Sequence, residues 1–145
     1  MSFRLETCVG YVSVNSMKMI SDAFGKRLEK KGITRIQWIA LYYLDSEESI
    51  SQKDLAIKMK TKDPSIARLL DRMERDGLIQ RIKSKEDRRV TYVKLTNKGK
   101  TLKEELLPEG EIFSDILLNG ISDEDLKTFQ RVLDALVMNV SNKPE

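Results

Sequence analysis

The stretch that most constrains this chain runs from 63 to 99. There a strongly amphipathic helical pattern, DPSIARLLDRMERDGLI, passes directly into two short strand patterns separated by SKEDRR. Ile66, Leu69, Leu70 and Met73 recur at i, i+3, i+4 and i+7, which makes one apolar stripe for a core. Asp63 is the expected N-cap, with Pro64 at the first helical position, where an absent N–H costs nothing. Gly77 stands just past the helix end, where a left-handed residue is favoured. Ser65, Arg68, Arg72 and Arg75 fall opposite the stripe, so the exposed face is polar near its start and cationic along its length. Residues 78–83 and 90–95 are expected as strands, with Thr91, Val93 and Leu95 sharing one face. A hairpin tip as charged as the one between them cannot be core.

A second, shorter pattern lies just upstream. In SQKDLAIKMK, residues 51–60, Ser51 and Asp54 form a capping-box-like pair and Leu55, Ala56 and Met59 supply the apolar face. A helix of two to three turns is marginal alone in water, so it must dock on its neighbours. The link TKD leaves room only for a tight turn, as a helix-turn-helix unit requires. Helix, turn, helix and basic hairpin make a unit shaped to read a duplex. The N-terminal turn of the second helix enters a major groove, where a guanidinium pairs two-pronged with guanine O6 and N7, and Arg68 is the candidate. The competing reading is a solvated face with Arg68 and Arg72 paired to Asp71 or Glu74. At the hairpin tip, Arg88 and Arg89 project toward a minor groove, whose negative potential is greatest over narrow A·T tracts. Asp87 can hold one of the two guanidinium groups by a charge-assisted hydrogen bond. A plain solvated turn is the alternative there.

Charge distribution points the same way. Residues 51–98 hold 14 Lys/Arg against 7 Asp/Glu, while the rest of the chain holds 12 against 16, a split that the overall net charge of +3 conceals. A basic block inside an acidic frame is a footprint for polyphosphate, with anionic membrane as the competing target. Membrane is disfavoured, because the basic residues are spread over a helix and a hairpin with no aromatic-rich amphipathic face near them. The candidate contacts to double-stranded DNA are Ser51, Gln52 and Lys53, then Lys62, Asp63, Pro64, Ser65, Arg68 and Arg72, and on the hairpin Lys83, Lys85, Asp87, Arg88 and Arg89. Lys53 and Lys83 are read as phosphate contacts.

The helix DPSIARLLDRMERDGLIQR, the tip DRR and the return strand ending in LTNKG together resemble the MarR/SlyA family of winged helix-turn-helix regulators. The PS-x-x-R start is closest to the SlyA branch, and the D-x-R wing followed by V-x-L-T-x-x-G is a specific signal. The resemblance covers essentially the whole chain. It implies Arg68 as the major-groove reader with Pro64 and Ser65 beside it, and Arg89 as the minor-groove arginine, with Asp87 orienting the wing and Arg88 assisting. It also implies a homodimer on a pseudo-palindromic operator, and a small anionic or phenolic effector between the dimer helices and the reader. Met17, Ile20, Phe24, Trp38 and Tyr42 are the candidate lining, with plain core as the alternative. The hydroperoxide-sensing branch uses an N-terminal cysteine engaged by tyrosines. Cys8 lies in the corresponding helix, but Phe24 and Arg35 align with the tyrosines, so an inert thiol is expected. Zinc-sensing branches rely on histidine, and this chain has none.

The fold class expected is mainly α with a small β-hairpin wing. One domain spans 1–145, with a winged helix-turn-helix core at 33–98 and helical dimerisation regions at 1–32 and 99–145. Residues 4–31 carry an imperfect stripe of Leu5, Val9, Val12, Ile20, Phe24 and Leu28. Thr34 is a plausible cap for a helix bearing Ile36, Ile39, Ala40, Tyr43 and Leu44. Thr96 caps a helix through Leu102 and Leu106 that meets Pro108, which should kink or break it. Ser122 and Asp125 open a last helix with Leu126, Phe129, Leu133, Leu136 and Val140. These terminal stripes exceed what one small reader can cover, and a two-fold dimer would bury them; packing within a monomer is the alternative. One cysteine permits neither an internal disulfide nor a Cys-rich zinc site. The absence of histidine, a phosphate loop, a nucleophile elbow or paired carboxylates argues against an enzyme, and no cofactor is implied. No apolar leader follows MSFRLET and no apolar run approaches roughly 18 residues, so a cytoplasmic place and no membrane are expected. A winged helix serving protein or RNA contact is the remaining alternative; it would leave Arg68 and Arg89 without base partners.

Overall fold

The computed structural model describes residues 2–141, which divide into two compact units between Glu111 and Ile112. In the first unit a single 3-10 turn (Leu5–Thr7) precedes α1 (Val9–Glu29) and α2 (Arg35–Tyr43). Then come β1 (Ile50–Ser51), α3 (Gln52–Met59), α4 (Asp63–Arg75), β2 (Ile79–Lys83), β3 (Thr91–Leu95) and α5 (Asn97–Leu106). Helix α6 (Pro108–Leu117) runs from the first unit into the second, which α7 (Asp123–Ser141) completes. The mainly helical fold with a small sheet matches the class expected from the sequence. The sheet has three antiparallel strands in the order β1-β3-β2. Strand β1 was not expected, because two residues carry no periodicity; tertiary pairing with Tyr92 and Val93 makes Ile50 and Ser51 a strand.

Capping side chains set the helix starts. Thr34 and Gln37 close a reciprocal capping box on α2. The Ser51 hydroxyl accepts from the Asp54 N–H (3.0 Å), that of Thr96 from the Gly99 N–H (3.1 Å), and that of Ser122 from the Asp125 N–H (3.1 Å). One expectation is corrected. Asp63 is the first residue of α4 rather than its cap, because the Ser65 and Ile66 N–H groups both turn back to the Lys62 carbonyl. The cap is Lys62, with no side-chain bond, and Asp63 instead places a carboxylate at the positive end of the helix dipole. Pro108 breaks the helix, separating α5 from α6.

Helices α3 and α4 end in the same way. At α4, the Leu78 N–H reaches the Met73 carbonyl and the Gly77 N–H that of Glu74, with Gly77 at φ 75°. At α3, the Thr61 N–H reaches the Ala56 carbonyl and the Lys60 N–H that of Ile57, but here the left-handed position, φ 53° and ψ 44°, is filled by a lysine.

One core gathers Leu28, Leu41, Leu44, Leu55, Ile66, Leu69, Leu70, Met73, Val93 and Leu106. The expected stripe of α4 is therefore fully buried. Trp38 ties α2 to the end of α5 by donating its Nε1–H to the Leu106 carbonyl at 2.8 Å. Gly110 packs so closely on the Trp38 ring that a Cβ there would stand 2.5 Å from it. Glu109 is buried and held by Arg27 at 2.6 Å. Much apolar surface stays outside. On α1, Val9, Val12, Val14 and Met19 are exposed; in the second unit so are Ile116, Phe129, Val137 and Val140.

Candidate nucleic-acid interface

The N-cap Lys62 and, on helix α4 itself, Pro64, Ser65, Arg68 and Arg72 face solvent. Arg68 and Arg72 make no hydrogen bond or ion pair among the described residues, so the reading that pairs them with Asp71 or Glu74 is overturned. Both acids are taken by Arg81 of β2. Its Nη2 donates to Asp71 Oδ1 at 2.6 Å and to Glu74 Oε1 at 2.9 Å, and its backbone N–H donates to Glu74 Oε2 at 3.2 Å. The Arg81 hydrogen bond holds the Glu74 carboxyl below its ordinary range, and Arg81 is raised in turn, first by Glu74 and also by Asp71.

Sequence reasoning missed Arg81, though a signal was present. Along β2, Ile79 and Arg81 share the face that pairs with Leu95 and Val93, so an arginine stands where strand alternation calls for an aliphatic residue. Ile82, the apolar residue beside it, points out and is exposed.

The hairpin tip is a closed loop. The Ser84 N–H reaches the Val90 carbonyl and the Val90 N–H that of Asp87, while the Ser84 hydroxyl accepts from the N–H groups of Glu86 and Asp87. Asp87 grips Arg89 rather than Arg88. Arg89 Nε and its backbone N–H donate to Asp87 Oδ1, and Nη2 donates to Oδ2, all at 3.0 Å. That two-pronged pairing fixes the guanidinium plane while 90% of the Arg89 side chain remains exposed. It also holds the Asp87 carboxyl below its usual range and raises Arg89.

Between helix pair and wing lies a cleft of about 330 Å³, lined by Ser51, Gln52, Lys53, Asp63 and Arg89 together with Ile66, Val90 and Thr91. The structure thus brings the start of α3, the start of α4 and the wing arginine around one concavity. Lys83, Lys85 and Arg88 gather with Ser84 on a separate shallow surface of the wing.

Of the candidate effector lining, the three aromatic residues meet. Phe24 stands edge-on to Trp38 at 5.1 Å, and Trp38 stacks on Tyr42 at 6.3 Å. Ile20 is half-buried and Met17 exposed, further back along α1. Cys8 is half-buried at the N-cap of α1. Among the described residues no cluster of acidic, cysteine or histidine side chains is placed to hold a metal, and no helix is long and apolar enough to cross a membrane.

Comparison with known proteins adds an independent line. The model of the MarR family matches residues 33–91. An organic hydroperoxide resistance transcriptional regulator of Bacillus subtilis (strain 168) is 30% identical over 141 residues, spanning 97% of this chain and 94% of that protein. Among solved structures, the transcriptional regulator PA3341 is 27% identical with a TM-score of 0.77, covering 94% of this chain and 100% of that one. A Staphylococcus aureus MepR–DNA complex shares the fold, with a TM-score of 0.83 at 23% identity, covering 91% of this chain and 98% of that one.

Proposed function

This chain belongs to the MarR family and is a DNA-binding transcriptional regulator, and from that premise we propose which side chains read DNA and how the reading is regulated. Helix α4 lies in the major groove with Arg68 pairing to a base edge and Pro64 and Ser65 packed beside it. The wing lies in the adjacent minor groove, where Arg89, aimed by Asp87 and assisted by Arg88, reads groove width. Ser51, Gln52, Lys53, Lys62, Arg72, Lys83 and Lys85 meet phosphate or flank the groove and set register. Asp63 borders the cleft and, carrying a like charge to phosphate, orients its neighbours. One observation carries the reading: two exposed arginines of α4 are left unpaired, while the wing arginine is paired two-pronged with Asp87 beside a cleft shared with α3 and α4.

The reading region is 33–98, and the helices flanking it join two copies. A second chain covers the exposed apolar residues of α1 and α7, and the dimer binds a pseudo-palindrome whose half-sites lie about 10 base pairs apart, one helical turn. Occupancy of the operator represses transcription. A small anionic or phenolic effector seated among Met17, Ile20, Phe24, Trp38 and Tyr42 relieves it by changing the spacing of the two readers, which requires differential affinity for the two arrangements.

Selecting bound sequences from a random duplex pool, with sedimentation of free protein and complex, tests this reading. A two-fold symmetric motif and a dimer at micromolar concentration are expected. Unselective duplex binding, or tighter binding to single-stranded RNA, would favour a protein- or RNA-contact module instead.

A further inference from the structure

Arg81 has the geometry of a support for the reader rather than a part of it. It is the least exposed member of its trio, with 22% of the side chain accessible against 63% for Asp71 and 42% for Glu74. Its guanidinium is occupied by two carboxylates, and it lies on the face of β2 turned toward the core. An ion pair at such a rim contributes little to stability, so stability alone is a weak account of why a polar group occupies a strand position suited to an aliphatic residue.

Its effect on α4 is larger. Asp71 follows Arg68 by three residues, about 60° around the helix, the spacing at which oppositely charged side chains pair. It also precedes Arg75 by four. Left to itself, Asp71 would draw the Arg68 guanidinium along the helix and away from a groove, and both acids would face DNA phosphate as free negative charges. Arg81 removes both effects at once: Asp71 is engaged at 2.6 Å from the strand side, and Arg68 stays unpaired.

We propose that Arg81 is a positioning residue for base reading, holding Asp71 and Glu74 so that Arg68 is free to meet the major groove. This rests on the assignment of Arg68 as a base reader, and the test separates the two.

Affinities would be measured by fluorescence anisotropy on the selected operator and on duplexes varied one base pair at a time. The proteins compared are wild type, Arg68→Ala, Arg81→Gln, the pair Asp71→Asn with Glu74→Gln, and the triple variant combining that pair with Arg81→Gln. Arg68→Ala identifies the base pair at which preference relaxes. Arg81→Gln is expected to relax preference at that same base pair by about twofold per half-site, what one exposed ion pair three residues apart on a helix is worth. The triple variant is expected to recover it, since neutral amides at positions 71 and 74 do not compete for the Arg68 guanidinium. Should Arg81→Gln fail to fold, Arg81→Leu, which packs beside Val93, takes its place with the same readout.

Unchanged preference in Arg81→Gln, with Arg68→Ala relaxed, overturns this inference alone. A triple variant as defective as Arg81→Gln also overturns it, by showing that Arg81 itself meets DNA or that its loss distorts the reader. Unaltered preference at every base pair in Arg68→Ala overturns the base-reader assignment and the inference with it.

Discussion

Two helix ends of the same design differ in one residue, and that difference can be measured. Helix α4 turns out through Gly77 at φ 75°, whereas α3 turns out through Lys60 at φ 53°. A residue with a Cβ in the left-handed region is strained by about 1–2 kcal/mol, and glycine is not. Against that, glycine adds conformational freedom to the unfolded chain, worth about 0.5–1 kcal/mol. Lys60→Gly should therefore stabilise by about 0.5–1 kcal/mol net, a rise in melting temperature of about 1.5–3 °C for a chain of this size. Gly77→Ala should do the reverse and cost about 0.5–1.5 kcal/mol, with no steric addition, since the nearest atom to a new Cβ is Lys98 Cδ at 3.8 Å. Lys60→Asn should fall between wild type and Lys60→Gly, because asparagine tolerates this conformation. Thermal unfolding followed by circular dichroism at fixed protein concentration reads all three, and a fixed concentration matters because dimerisation shifts the midpoint by mass action. A lowered midpoint in Lys60→Gly, or a Gly77→Ala protein as stable as wild type, would refute the argument from backbone strain.

The reading face, the ionisable groups and the Trp38 packing each carry a measurable consequence. Arg68→Ala should cost about 1–3 kcal/mol per half-site on the selected operator and little on random duplex, while Lys53→Ala should weaken both alike and flatten the salt slope by about 0.9 for each phosphate no longer neutralised; titrations across a salt series separate them. Replacing A·T flanks with G·C should weaken wild-type binding and leave Arg89→Ala nearly unaffected, with Asp87→Ala intermediate, as read in competition assays on paired duplexes. The carboxyls of Asp87 and Glu74, and that of Asp45, which accepts the Glu47 and Glu48 N–H groups, are all depressed, so whatever each contributes is present above its unfolded value and lost only on acidification through the lower folded one. With no histidine in the chain, melting temperature and operator affinity should be flat from about pH 5.5 to 8 and fall only below about pH 4. Gly110→Ala should destabilise by about 1–3 kcal/mol by overpacking the Trp38 ring, and Trp38→Leu in the same chain should recover part of that loss in a double-mutant cycle.

The reader's elements are legible from residue order alone, because the signals for them are local. A 3.6-residue stripe needs only its own spacing to mark α4, Thr34, Ser51, Thr96 and Ser122 announce helix starts within three residues, and Gly77 and Pro108 announce stops. Asp87 and Arg89 are two residues apart, so their pairing was foreseeable as well. Other features exist only once the chain has folded. Ile50 and Ser51 became a strand because a partner some forty residues later pairs with them. The start of α4 shifted by one residue because the Lys62 carbonyl, not the Asp63 side chain, collects the first N–H groups. Above all, the partner of Asp71 was decided at a distance. Local spacing allows Asp71 to pair with Arg68, but β2 brings Arg81 from ten residues away and takes Asp71 first. Electrostatic partners are chosen by whichever cation the fold holds nearest with the least loss of side-chain freedom, and a linear pattern does not record that distance.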